Sequence, residues 1–412
     1  MQTRIGARYR NTAQGREADA ILRACVHCGF CTATCPTYQL LGDERDSPRG
    51  RIYLIKQLLE EQPVGRSTQQ HLDRCLTCRA CETTCPSGVR YGRLIDIGRE
   101  LLEHHVPRPL GERLKRALLR RIIPHPARLE RLLKLGRICA PLLPPALRRK
   151  LPAKPAQTSA GPIRKLPRRM LLLAGCAQRV ATPATNAAAR RVFQALGIQL
   201  VEAREAGCCG AVSQHLAAPQ EAADFMRRNI DAWWPHIQQG AEAIVVTASG
   251  CGVQVKEYGE LLQNDPAYGE KARRISELAR DAAEVLRDEG LPANITGPAR
   301  EKIAFHSPCT LQHGQKLAGV VENLLREAGF ELLPVADAHL CCGSAGTYSL
   351  LQPELSQRLL QNKLGELEKQ QPVIIATANV GCQLHLATGT GTPVQHWLEL
   401  LAQALDRDRP SI

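Results

Sequence analysis

Apolar positions in the second half of this chain come as short runs. "RRMLLLAGC" (168–176), "AIVVTASGC" (243–251), "EKIAFHSPC" (301–309) and "VIIATANVGC" (373–382) each end in a small-residue turn with a cysteine at its tip, the pattern of buried strands. Between them, "NAAARRVFQALG" and "VVENLLREAG" carry apolar residues at helical spacing and close on a glycine, as helix C-termini do. Strand, helix, cysteine turn, helix and strand predict an α/β module with a parallel sheet. Its chemistry is expected beyond the carboxyl ends of the strands, where loops converge. The pattern occurs twice. Cys176, Cys208, Cys209 and Gly210 recur as Cys309, Cys341, Cys342 and Gly343, shifted by 133, and Cys251 recurs as Cys382, shifted by 131. A period that long marks a duplication, not a solenoid, and the two copies are expected to face each other across a pseudo-twofold axis.

The first half reads as helical. In "SPRGRIYLIKQLLEE", Ser47 and Pro48 stand where a helix is capped and started. Further on, "RLKRALLRRIIPHPARLERLLKLG" (113–136) sets leucines and isoleucines at helical spacing among arginines. That is the pattern of a helix lying on a membrane surface, and equally of a basic amphipathic helix packed on its own protein. The predicted fold class is α+β multidomain. A helical block over 1–105 precedes a basic, Pro-rich helical segment and linker over 106–164. One α/β cysteine module follows over 165–291 and its duplicate over 296–412.

With 412 residues there is room for two or three domains. The N-terminus offers no apolar stretch that could act as a signal peptide, so a cytoplasmic chain is expected. Seventeen cysteines in such a chain argue for metal ligation over disulfides. The net charge of +14 is concentrated: between Val106 and Met170 stand 18 Lys or Arg against Glu112 and Glu130 alone. Aromatics make up 4% of the chain and are absent from that segment, so base stacking, and with it nucleic-acid binding, is excluded as its purpose. A subunit or the inner face of the cytoplasmic membrane is the partner this segment fits.

The densest signal lies in "CVHCGFCTATCP" (25–36) and "CLTCRACETTCP" (75–86). Thiolate is a soft, anionic ligand suited to iron. The run C-x2-C-x2-C-x3-C-P is the bacterial ferredoxin signature, in which the fourth cysteine ligates the other cluster. On that pattern Cys25, Cys28, Cys31 and Cys85 hold one 4Fe–4S cluster, and Cys75, Cys78, Cys81 and Cys35 hold a second. Zinc ribbons pair two C-x2-C knuckles instead of packing four cysteines into eleven residues. Arg49 and Arg51, between the quartets, read as structural or as neighbours of a cluster. Cys139 reads as a plain thiol.

The repeated set Cys176, Cys208, Cys209, Cys251 and Cys309, Cys341, Cys342, Cys382 is a candidate for a further site. The paired "CCG" resembles the cysteine-rich domain shared by heterodisulfide reductase subunits, anaerobic glycerol-3-phosphate dehydrogenase and lactate-utilisation proteins. With the two quartets, and with "VTASGCGVQVKEYG" and "TANVGCQLHLATGTGTPVQHWLELL", the whole chain resembles the iron–sulfur subunits of glycolate oxidase. In the heterodisulfide-reductase type of module the last ligands form C-x-x-C, whereas here the first of that pair is Ala248 or Asn379. A five-thiolate cluster is therefore not expected. One ordinary cluster, a metal held between the modules and a structural remnant all fit four thiols per module. His306 and His313, flanking Cys309, are further candidate ligands or proton carriers.

No G-x-G-x-x-G occurs, so neither a flavin nor a nicotinamide site is expected. The resemblance implies that FAD-containing glycolate oxidase subunits oxidise glycolate to glyoxylate. This chain would then pass electrons toward quinone or another membrane acceptor, with no catalytic residues of its own. The alternative it leaves is an electron-transfer or catalytic subunit of a heterodisulfide-reductase-like, glycerol-3-phosphate dehydrogenase-like or lactate dehydrogenase complex.

Overall fold

A computed structural model of the chain describes residues 1–142, 144, 148, 151, 152, 165–295, 297 and 301–407. Much of the linker expected before residue 164 lies outside the described residues.

The N-terminal region is built of helices. Thr12 and Ser47 each accept a hydrogen bond from the backbone N–H three residues on, at 3.0 Å, capping Ala13–Ala24 and Pro48–Leu59. These pack with Tyr91–His105 around Leu22, Ile55, Leu59, Leu94 and Ile95, none of which meets solvent.

Beyond the linker the chain forms two four-stranded, all-parallel sheets. The first contains β1 (Arg168–Leu173), β2 (Ile198–Val201), β3 (Ile244–Val246) and β4 (Ala279–Asp281), in the order β2-β1-β3-β4. The second repeats it with β5 (Lys302–His306), β6 (Glu331–Leu333), β7 (Ile374–Thr377) and β8 (Val394–His396), as β6-β5-β7-β8. Parallel strands covered on both faces need unbroken apolar runs, and Leu171, Leu172 and Leu173 are buried in succession. The order in which strands are added across the sheet reverses between β1 and β3, and between β5 and β7. Each cysteine turn leaves the carboxyl end of one of these strands or its neighbour, the place where such sheets put their sites.

The two modules share one core. Helix Pro183–Ala195 of the first packs on Trp397–Arg407 of the second, and Ala282–Glu289 packs on Val320–Glu327. These are reciprocal pairs of related elements, as a pseudo-twofold arrangement requires. Polar contacts close the seam: Thr185 Oγ1 donates to Glu399 at 2.6 Å, and His396 Nε2 donates to the Thr247 carbonyl at 2.9 Å.

The basic segment forms helices Leu110–Ile122 and Pro126–Ile138, with an orientation that the sequence did not reveal. Arg108 and Arg116 turn inward onto Asp73, at 2.5 and 2.9 Å. Arg120 reaches Glu221 of the first module at 3.2 Å. The leucines turn outward: Leu110, Leu114 and Leu118, spaced by four, are 77, 67 and 55% exposed, and Leu132, Leu135 and Ile138 are exposed on the next helix. Among the described residues no helix is long and apolar enough to cross a membrane.

Candidate metal centres

The two quartet loops are conformational copies. His27 and Thr77 have φ of 57° and 53°, and Gly29 and Arg79 have 86° and 62°. Three of these four are not glycine, and such left-handed residues cost of order 1–3 kcal/mol each unless their surroundings impose them. Short helices follow, Phe30–Ala33 and Ala80–Thr83, and then Cys35 and Cys85.

The loops enclose two hollows. One is lined by Cys25, Cys28, Cys31 and Cys85. The other is lined by Cys35, Cys75, Cys78 and Cys81. Each trio thus faces the fourth cysteine of the opposite quartet. Cys81, Pro48 and Tyr91 line both hollows, so the two sites share a wall. Burial, and then the charge of Cys25, pushes the Cys31 thiol up to about 11. Burial also pushes Cys78 and Cys81 well above the usual thiol range. Thiols gathered in a dry space favour the thiolate only when a cation joins them, so this donor set fits an iron–sulfur cluster in each hollow.

The sites differ in their surroundings. Around the first, Cys28 is exposed, and Val26 and Phe30 are 67 and 60% exposed. Arg49 lines this hollow and pairs with Glu44 at 2.7 Å. Around the second, Cys35, Cys75 and Cys81 are buried. Arg51, 1% exposed, points Nη1 at Cys35 Sγ from 4.0 Å, and its other nitrogens donate to Thr37 Oγ1, Asp46 and the His71 carbonyl. Asp46 also binds His71 and Arg74, at 3.0 and 2.8 Å, so one carboxylate is shared by two guanidiniums and the group stays net positive beside Cys35. Tyr91 donates its hydroxyl to Cys75 Sγ at 3.6 Å. Arg51, read from the sequence as structural or as a neighbour of a cluster, stands beside Cys35; nothing in the chain order linked it to Asp46 and His71, which look like ordinary surface residues until the fold buries them.

In each cysteine module the four thiols form a chain of neighbours. It runs Cys176–Cys208–Cys209–Cys251 in the first and Cys309–Cys341–Cys342–Cys382 in the second, with Cys309 and Cys341 Sγ 3.8 Å apart. The glycine after each pair is dictated by fit. Gly210 and Gly343 have φ of 90° and 88°, and a Cβ on Gly343 would stand 2.7 Å from the Ser356 carbonyl oxygen. At the positions of the missing fifth cysteine, Ala248 is buried. Asn379 accepts hydrogen bonds from the Gly381 and Cys382 N–H groups and donates to Ser249 of the first module at 3.1 Å.

The two candidate histidines separate. His306 lies with Cys342 and Cys382, their ligand atoms within 4.8 Å of one another. His313 instead joins domains, bonding Thr83 Oγ1 at 3.0 Å and the His339 carbonyl at 2.9 Å. Cys139 ends helix Pro126–Ile138, half-buried. The structure also adds a juxtaposition absent from the motifs. Leu76 and Cys78 of the second quartet share an apolar cluster with Cys309, Cys341 and Tyr348. Tyr348 donates to the Arg74 carbonyl at 3.2 Å, and Arg79 pairs with Glu257.

A helical domain with paired thiol hollows, docked on a duplicated cysteine-rich α/β unit, defines an iron–sulfur electron-transfer component of an oxidoreductase. A family model described as "4Fe-4S dicluster domain" matches residues 21–89, and one described as "Cysteine-rich domain" matches residues 170–256 and 303–387. The chain is 56% identical over 408 residues to the glycolate oxidase iron-sulfur subunit of Escherichia coli K12, covering 99% of this chain and all of that one. It is 29% identical to the probable glycolate oxidase iron-sulfur subunit of Bacillus subtilis, covering 92 and 91%. It is 28% identical to lactate utilization protein A of Geobacillus kaustophilus over 47% of this chain and 82% of that one. The chain belongs to the family of glycolate oxidase iron–sulfur subunits, and its N-terminal domain is a two-cluster 4Fe–4S domain.

Proposed function

We propose that this chain is the electron carrier of a complex whose flavoprotein subunit oxidises glycolate to glyoxylate, and that its electrons leave toward a membrane quinone. Cys25, Cys28, Cys31 and Cys85 would hold the first cluster, and Cys75, Cys78, Cys81 and Cys35 the second. When bound, the clusters take up and give back electrons one at a time. The observation carrying this reading is the pair of thiol hollows sharing a wall, the first with Cys28 exposed and the second with Cys35, Cys75 and Cys81 buried. The chain's own residues make that asymmetry. Val26 and Phe30 frame the exposed Cys28 with apolar surface of the kind subunits bury. Arg51 and Tyr91 hold Cys35 and Cys75 away from water.

Reconstitution tests it. With glycolate and the flavin-bearing partner supplied without oxygen, the iron–sulfur absorbance of this chain should bleach. If Val26 and Phe30 form the docking rim, Phe30→Glu should slow that bleaching about tenfold or more, because a charge is placed in an apolar contact. Iron content should be unchanged. Bleaching at the unaltered rate would place the contact elsewhere.

The outward leucines favour a peripheral position on the cytoplasmic membrane face. Leu110, Leu114 and Leu118 offer apolar surface to the acyl boundary, and the exposed Arg113, Lys115 and Arg121 offer charge to anionic headgroups. Arg108 and Arg116 are committed to Asp73, so the leucines are the residues to change. Replacing Leu114 and Leu118 with glutamate should weaken co-sedimentation with anionic vesicles about tenfold or more. Unchanged sedimentation would assign this face to a subunit.

A further inference from the structure

We infer that Arg51 sets the order in which the two clusters are reduced, holding the second at the higher potential so that electrons entering beside Cys28 fall inward. The inference rests on the ligand sets proposed above. Reduction adds one negative charge to a cluster, and a buried cation beside a ligand sulfur stabilises that charge. Arg51 is such a cation. It is 1% exposed, and its Nη1 faces Cys35 Sγ at 4.0 Å. A guanidinium stays protonated inside proteins, so the charge is permanent.

Hydrogen bonds fix the side chain in that position. Nε donates to the His71 carbonyl at 2.7 Å, and Nη2 donates to Thr37 Oγ1 at 3.1 Å and to Asp46 at 3.3 Å. Thr37 Oγ1 in turn donates to the Asp46 carbonyl at 2.9 Å and lies 3.3 Å from Cys35 Sγ. With these acceptors engaged, Nη1 is left aimed at the sulfur. A donor placed before the charge arrives needs no rearrangement to stabilise it. Asp46 is shared with Arg74, so two guanidiniums face one carboxylate and the group stays net positive. The Tyr91 hydroxyl on Cys75 Sγ acts in the same direction.

The first site is arranged differently. Its lining cation, Arg49, has a side chain 35% exposed and pairs at 2.7 Å with Glu44, itself 44% exposed. That pair is neutral and screened by water. The two sites can be compared position by position, because helices Pro48–Leu59 and Tyr91–His105 each begin with a residue that lines both hollows. The fourth residue of the one is Arg51 and of the other Leu94, both buried. The likeness of the two quartets is broken here by a buried charge. Burial alone works against reducing the second site, since a dry surrounding disfavours added charge, and Arg51 offsets that cost. Arg79, which also lines the second hollow, is paired with Glu257. The consequence is direction: electrons delivered at the exposed Cys28 run to the site of Cys78, which packs on the second module.

The test is a potentiometric titration, followed by EPR, of the full chain purified without oxygen with its clusters in place. Two signals are expected, and the one lost in Cys75→Ser belongs to the second site. That signal should appear at the higher potential. Arg51→Gln removes the charge and keeps hydrogen-bonding groups. It should lower the second midpoint by about 59 mV or more, a tenfold change in the ratio of reduced to oxidised cluster, with the first midpoint unchanged. Arg51→Lys keeps the charge and loses most of the hydrogen bonds, and its midpoint should stay above that of Arg51→Gln. Asp46→Asn removes the counter-charge and should move the second midpoint upward. Loosened packing cannot produce opposite shifts, and Asp46→Asn decides even if Arg51→Gln fails to fold. An unshifted midpoint in Arg51→Gln, an equal fall in Arg51→Lys, a fall in Asp46→Asn, or a first site reduced at the higher potential overturns the role of Arg51 with both clusters still in place. Iron for fewer than two clusters in the unaltered chain overturns the ligand sets and this role together.

Discussion

Cys85→Ser is expected to remove the cluster of the opposite quartet while sparing the one nearest in sequence. Cys85 lines the hollow of Cys25, Cys28 and Cys31, whereas Cys75, Cys78 and Cys81 line the other with Cys35. Serine is a poor substitute for a soft thiolate ligand. Iron should therefore fall by about half, to roughly four per chain. The EPR signal that survives in the reduced protein should be the one abolished by Cys75→Ser. The reciprocal change, Cys35→Ser, should spare the first site and remove the second. It should also leave Arg51 facing a gap, so its loss of stability should exceed that of Cys85→Ser, because Cys35 is buried and Cys85 only half-buried. Loss of the Cys75, Cys78 and Cys81 cluster in Cys85→Ser would show that each quartet holds its own cubane.

The second large effect concerns autonomy. Oxidising a 2-hydroxy acid removes two electrons and two protons, which a flavin accepts together. The purified chain, clusters intact, should neither bind flavin nor oxidise glycolate. Adding a flavin-bearing partner should start electron flow from glycolate to a dye or quinone. Cys28→Ser or Cys78→Ser should cut that flow at least about a hundredfold, while glycolate still bleaches the partner's flavin. The comparison between the two variants is informative in itself. Cys28 is exposed and Cys78 is enclosed against the second module, so only Cys28→Ser should also weaken docking at the Val26 and Phe30 rim. Glycolate turnover by the isolated chain would falsify the carrier assignment and move the chemistry into the cysteine modules.

Much of this organisation could be read along the chain because its causes are local. Two C-x2-C-x2-C-x3-C-P runs describe their own turns, since three ligands of a cluster must come from one loop. Continuous apolar runs announced parallel strands because both faces of each sheet are covered. Ser47 and Pro48 announced a helix because an unsatisfied helix terminus needs a cap. The duplication was visible because the CCG turn tolerates nothing larger than glycine, so its spacing from the first cysteine is kept in both copies.

Other features exist only after the chain has folded. Asp46, Arg51 and His71 are polar residues with no pattern between them, and packing alone turns them into a buried charge group beside Cys35. The leucines of the basic segment follow helical spacing whichever way the helix faces. Asp73 decided the orientation by drawing Arg108 and Arg116 inward, which left the apolar face in solvent. His306 is one residue of a strand until β5 and β7 pair and bring Cys382 and Cys342 to its ring. Sequence determined which ligands exist and which loops present them. Tertiary structure decided which thiols share a hollow, which of them are buried and which histidine meets a thiol, because those outcomes depend on contacts between residues far apart along the chain, for which a linear pattern carries no signal.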